Sequence, residues 1–230
     1  MPASGSEKHD RLRSALHAAA AALWRVRFTL LMLLSLRLAA WLTGTHLGTL
    51  SAAMLQRVGF APKDLWQMES WRAVSSALVT GGGASYRLAV VAMAAFVGAA
   101  EWQRGTTRAA ATFWGVHFAT ILVESFAVAL ALHLSGDALG TALAAARDVG
   151  PSAGYFGCLG LAIVSAPVDR RVRFALVAAV FAALLATLTI PVSQVAEEVG
   201  ELSAGIAHLI ALPLGVASSW IARGAWSAGR

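Results

Sequence analysis

The chain has 230 residues, 58% hydrophobic and only 13% charged, roughly half the charge density of an average soluble domain. The apolar residues are gathered in long runs, which excludes one large soluble core and indicates a polytopic membrane protein. The net charge of +6 reflects basic cytoplasmic loops rather than a nucleic-acid partner.

Residues 1–25 read as a cytoplasmic N-terminal segment. Its start is polar and basic, and the following apolar stretch is interrupted by Arg25 and Arg27, so no cleavable signal peptide is expected. Residues 14–23 extend as helix ahead of the first span. Hydropathy places six spans at approximately 26–43, 86–103, 109–133, 151–167, 172–192 and 203–222. The expected fold is therefore all-α: a bundle of six transmembrane helices over residues 26–222, followed by a cytoplasmic tail over 223–230. Arg37 falls inside the first span, where it either snorkels to the outer interface or pairs within the bundle. The loop over 44–84 is long and mixes Leu55, Phe60, Trp66 and Trp71 with polar residues. It reads as short interfacial helices at the outer leaflet. Gly81-Gly82-Gly83 then allows a sharp re-entry. The single Cys158 cannot form an internal disulfide, and its Gly and Leu neighbours suggest packing.

Charge decides the orientation. Lys8, Arg11, Arg13, Arg25, Arg27, Arg104, Arg108, Arg170, Arg171, Arg173, Arg223 and Arg230 fall on one set of faces. The opposite faces carry fewer basic residues and most of the acids, among them Asp64, Glu69, Asp137, Asp148 and Glu201. The positive-inside rule puts both termini in the cytoplasm. With no organelle-targeting signal, a bacterial-type inner (plasma) membrane is expected.

Several polar residues lie within these spans. Gly150-Pro151-Ser152-Ala153 opens span four. Pro151 suits a first helical turn, and Ser152 sits where unpaired backbone N–H groups and the positive helix end collect. Ser152 is either a capping serine or an activated hydroxyl. His208 lies in the outer part of span six, and spans four and six run in the same direction. It is either hydrogen-bonded to a neighbouring helix or a base within reach of Ser152. Gly154, Gly157 and Gly160 in span four and Ala204, Ala207, Ala211 and Gly215 in span six favour close helix packing. Pro213 frees a carbonyl one turn earlier, near His208. In span three, His117 and Glu124 are seven apart and share a helix face. Glu124 could orient a base, line a polar cavity or bond another helix. His133 lies near the outer interface. None of these residues has metal-ligand spacing, and neither a metal nor a cofactor is expected.

These residues resemble the rhomboid family of intramembrane serine proteases over most of residues 65–220. Trp71-Arg72 is similar to the family's Trp-Arg element in the first loop. Glu101 with Arg104-Gly105 is similar to the acidic, basic and glycine residues at the inner end of the second span. Gly150-Pro151-Ser152-Ala153 resembles the Gly-x-Ser-Gly nucleophile motif, continued by Phe156-Gly157 and Gly160. Ala207-His208, with Gly215 seven residues on, resembles the Ala-His-x-x-Gly-x-x-x-Gly motif of the last core span. The resemblance implies a dyad with Ser152 as nucleophile and His208 as general base. The implied substrate is a membrane-anchored protein cut near its extracytoplasmic boundary. Four positions depart from the pattern. The glycine after the nucleophile is Ala153, the first glycine after the histidine is Ala211, and the second span's His-x-x-x-Asn falls on Ser85 and Ala89. Loss of an oxyanion donor costs about 10²–10³ in rate. Gly150, Ala153 and Ser85 are the positions left to support the oxyanion.

Three functions follow as expectations. The first is a divergent rhomboid-type protease. The second is a catalytically inactive rhomboid-like protein that binds membrane-protein clients. The third is an acyl-transfer or lipid-hydrolysing enzyme that reuses the same dyad.

Overall fold

In the computed structural model, which describes residues 5–189 and 195–227, every regular element is helical. Among the described residues the only strand-like pairings are two isolated bridges, Thr49 with Gly82 and Phe60 with Asp148. Helix α1 spans Gly5–Arg25 and α2 Arg27–Thr43. The loop helices are α3 (Ala52–Val58), α4 (Pro62–Trp66) and α5 (Arg72–Leu78). Two long helices follow, α6 (Gly83–Arg104) and α7 (Thr106–Leu134). The rest are α8 (Ala138–Ala145), α9 (Ser152–Ser165), α10 (Arg170–Thr187) and α11 (Val195–Ser227).

Among the described residues three helical stretches are long and apolar enough to cross a membrane: Gly83–Arg104, Thr106–Leu134 and Val199–Trp220. The bent pair α1–α2 makes a fourth if it counts as one span. Leucines and aromatics such as Leu30, Leu34 and Trp41 on α2 and Phe174 and Leu185 on α10 point outward. Apolar length with an apolar exterior is the pattern of a membrane protein. The fourth and fifth expected spans are less plain. Helix α9 has only 14 residues, and α10 begins with Arg170, Arg171 and Arg173. Part of the fifth expected span, 190–192, lies outside the described residues, as do the side chains of Glu197, Glu198 and Arg223.

The helical extension ahead of the first span is present but does not continue it, since α1 meets α2 at a bend of 73°. Arg25 on α1 hydrogen-bonds the Trp102 carbonyl at 2.9 Å and stacks over the Trp102 ring. The long loop holds the expected short helices. Arg37 is exposed, with no ion pair among the described residues, so snorkelling is the reading it retains.

The core joins α2, α6, α7 and α9 through Met32, Leu36, Met93, Val97, Phe113 and Leu161. Helix α9 is central: nine of its 14 residues are buried, on all sides. Its Cys158 is packed, with Sγ 3.6 Å from the Ala109 carbonyl. The stripe of small residues explains how so enclosed a helix fits. A Cβ at Gly215 would run into the backbone of Gly157, and one at Gly160 would meet the Leu212 carbonyl oxygen at 2.5 Å. Backbone thus touches backbone where α9 crosses α11.

At the opposite end, Glu101 on α6 is fully buried. It accepts the backbone N–H groups of Phe28 at 2.9 Å and Thr29 at 2.8 Å, and the hydroxyls of Thr29 and Thr106 at 2.7 Å each. A carboxylate here satisfies the free donors at the start of α2 and meets its positive end.

Candidate active site

Ser152 is the first residue of α9. The chain reaches it through Gly150, whose φ of 153° lies where a side chain is strained. Pro151 follows at φ −76° as the cap residue and accepts from Tyr155 N–H at 3.0 Å. The first N–H groups of α9 therefore have no acceptor within the helix. The Ser152 hydroxyl makes no hydrogen bond among the described residues, so the capping role does not occupy it.

The approach to Ser152 is pinned from outside. Phe60 and Asp148 exchange backbone hydrogen bonds at 3.0 and 2.9 Å, and Gly150 N–H donates to the Ser76 carbonyl at 2.8 Å. Next to Asp148, Arg147 holds the fully buried Asp64 at 2.6 and 3.0 Å and donates to the Gly59 carbonyl at 2.8 Å. Arg72 reaches Glu69 at 2.5 Å and the carbonyls of Gln56 and Arg57. The arginine of the Trp-Arg element thus closes the C-terminal end of α3. The long loop and the segment leading into α9 become one polar assembly over the Ser152 end of the helix.

Beneath this assembly is a cavity of about 40 Å³, lined in part by Ser76, His117, Thr120, Glu124, Asp148 and Ser152. Gly150, Ala153, Ser203 and Ala207 also line it. His117, Thr120 and Glu124 come from one face of α7, as their spacing requires. Glu124 lies in a π-helical stretch, Val123–Ala129. Such a widened turn shifts the side chains around it, and is frequent at functional sites. Ser203 on α11 donates a short hydrogen bond to Glu124. Asp148, in the loop before α9, is raised to about 6 by burial, with the Glu201 carboxylate pushing the same way and the Val149 N–H opposing.

Helices α9 and α11 run parallel. Ser152 and Ala153 share the cavity with Ser203 and Ala207, Phe156 packs on His208, and Gly157 and Gly160 meet Leu212–Val216. Ala153 and Ala211 fall in one buried cluster with Val116. Ser152 is five residues before Gly157, and His208 seven before Gly215. At about 1.5 Å per residue the two differ by about 3 Å in depth. The His208 ring packs on Phe156, with centroids 4.6 Å apart. Its Nε2 is buried without a hydrogen-bond partner. Ser152 and His208 are not hydrogen-bonded to each other.

The structure therefore brings Gly150, Ser152 and Ala153 to one cavity and His208 to the facing helix. It does not bring Ser85 there: Ser85 is exposed near the start of α6 and does not line the cavity. Sequence reasoning left Asp148 as one of several loop acids and passed over Ser76, Thr120 and Ser203. For Thr120 the signal was available, three residues after His117 on the Glu124 face. For Asp148 and Ser76 it was not, since only tertiary packing of the loop carries them in. Among the described residues no group of His, Cys, Asp or Glu could hold a metal ion. No family model matches the chain, and neither a curated protein nor a solved structure does, so the rhomboid resemblance rests on the residues quoted above.

Proposed function

We propose that the chain is a divergent rhomboid-type intramembrane serine protease of a bacterial-type plasma membrane. In this reading six spans cross the bilayer with both termini in the cytoplasm. Helices α9 and α10 serve as spans four and five. At about 1.5 Å per residue α9 is about 21 Å long, shorter than the roughly 30 Å hydrocarbon core, so Ser152 would sit below the outer surface. A membrane-anchored protein would enter beside the cavity and be cut near its extracytoplasmic boundary.

The observation that carries the proposal is the pairing of two unoccupied groups. The Ser152 hydroxyl and the buried His208 Nε2 lie on parallel, touching helices at similar depth, and neither has a partner to give up. In the reaction Ser152 Oγ attacks the scissile carbonyl while His208 takes its proton. The N–H groups at the start of α9 face the developing oxyanion. His208 then returns the proton to the leaving amine, and water releases the acyl group.

A second reading is a non-catalytic rhomboid-like protein that binds membrane-protein clients. It is favoured by the His208 ring packing on Phe156 without a bond to Ser152, and by Ser85 lying outside the cavity. A fluorophosphonate probe separates the two. Purified protein in liposomes is expected to be labelled, and Ser152→Ala and His208→Ala to lose labelling. A folded wild-type protein that stays unlabelled, yet co-purifies with a membrane protein, would establish the binding reading. Tagged single-span proteins and labelled lipids, offered separately, report which is cut.

A further inference from the structure

The cavity beside Ser152 has a surplus of hydrogen-bond acceptors and no cation. His117 is 4% exposed, and its Nε2 lies 2.8 Å from the Ala73 carbonyl. A carbonyl only accepts, so Nε2 carries the hydrogen and Nδ1 presents a lone pair. That Nδ1 is buried and unpartnered. Thr120 is 1% exposed, and its Oγ1 is likewise buried without a partner. Glu124 spends one oxygen on Ser203, and Asp148 one on its neighbour's N–H. Among the described residues neither carboxylate is ion-paired. The nearby arginines, Arg147 and Arg72, are committed to Asp64 and Glu69. Glu201 adds further negative charge next to Asp148.

We propose that this cavity is a recognition site for a basic side chain, the ammonium of a lysine on the substrate residue whose carbonyl Ser152 attacks. An ammonium brings three donors and one positive charge. Glu124, Asp148 and His117 Nδ1 offer it two carboxylates and a neutral acceptor. The volume of about 40 Å³ holds about three or four water-sized groups at roughly 10–15 Å³ each. That is room for an ammonium and the methylenes nearest it, the rest of the side chain lying toward Ser152. A neutral aliphatic side chain would leave the same acceptors desolvated and unpaired, which discriminates strongly against it. The inference rests on the hydrolytic reading of Ser152 for its place in the reaction, and on the cavity alone for the chemistry of the ligand.

The test uses two peptidyl diphenyl phosphonates identical except at the residue adjoining phosphorus, lysine-like in one and norleucine-like in the other. Ser152 Oγ forms a bond to phosphorus, the phosphorus–phenoxide bond breaks, and phenol leaves with the hydroxyl proton. The ratio of the two labelling rates, measured within one preparation, is expected to favour the lysine probe at least tenfold. Glu124→Gln and, independently, Asp148→Asn should each bring that ratio toward one, so a failure of either variant to fold leaves the other to decide. Equal rates in the wild-type protein, or a faster norleucine probe, would overturn the inference and leave the hydrolytic reading standing. If neither probe labels folded protein, the hydrolytic reading falls, and thermal denaturation with n-butylammonium then decides the site. A rise in Tm that butanol does not produce, and that Glu124→Gln or Asp148→Asn abolishes, supports it. No rise overturns it.

Discussion

Among the described residues two glutamates are buried between the helices of this protein, and they are held in opposite ways. Glu101, 0% exposed, has four hydrogen bonds that tie α2, α6 and the start of α7 together. Glu124, 8% exposed, has one, from Ser203, and shares a cavity with a second carboxylate and with His117 and Thr120, whose Nδ1 and Oγ1 have no partner. A buried carboxylate whose acceptor sites are filled works as a fastener. One whose acceptors stay open beside a void is a place for a guest. The residue type is the same, and the number of donors built around it separates a fold-holding role from a ligand-holding one.

That contrast can be broken in several ways. The largest effect is expected at the cavity end and on chemistry alone: Ser152→Ala or His208→Ala should lower fluorophosphonate labelling by about 10⁴-fold or more while leaving thermal stability close to that of the parent. A collapse in Tm instead would make these residues part of the scaffold. Next comes the opposite end. Glu101→Ala leaves buried N–H groups without acceptors and should cost about 3–5 kcal/mol, read by denaturation in detergent. Labelling per folded molecule should be unchanged.

A smaller effect is expected from pH. The Asp148 carboxyl titrates at 3.8 in the ordinary state and is raised to about 6 in the fold. The folded protein therefore holds that proton more tightly, and the contribution to stability is full below about 3.8. It falls as pH rises through about 6. Asp148→Asn should flatten that part of the stability profile, and a slope of the same size in the variant would assign it to another group. The smallest effect is Glu124→Gln. The amide oxygen still accepts from Ser203, so stability should change by no more than about 1 kcal/mol. A loss as large as that of Glu101→Ala would erase the distinction between the two glutamates.

How much was legible beforehand depends on the range of the interaction. The helices at 83–104, 106–134 and 199–220 follow from runs of apolar residues, because a helix satisfies its own backbone whatever its neighbours do. The small residues of α9 and α11 announced close packing for the same local reason, since a missing Cβ is a property of the residue itself. His117 and Glu124 were rightly placed on one face by their spacing. The bend between α1 and α2 was less legible, because Arg25 meets Trp102 only once the bundle is assembled.

By itself, then, the sequence determined a helical membrane protein, its glycine-lined helix contact and the shared face of α7. Only the tertiary structure decided which polar residues meet. Asp148 and Ser76 reach the cavity because Arg147 pairs with Asp64, 83 residues away, and because Gly150 is anchored to α5 through the Ser76 carbonyl. Ser85, one of the positions left to support the oxyanion, stays outside: it is exposed near the start of α6 and does not line the cavity. Helical periodicity is local and can be read along the chain. The satisfaction of a buried polar group depends on what other segments bring to it.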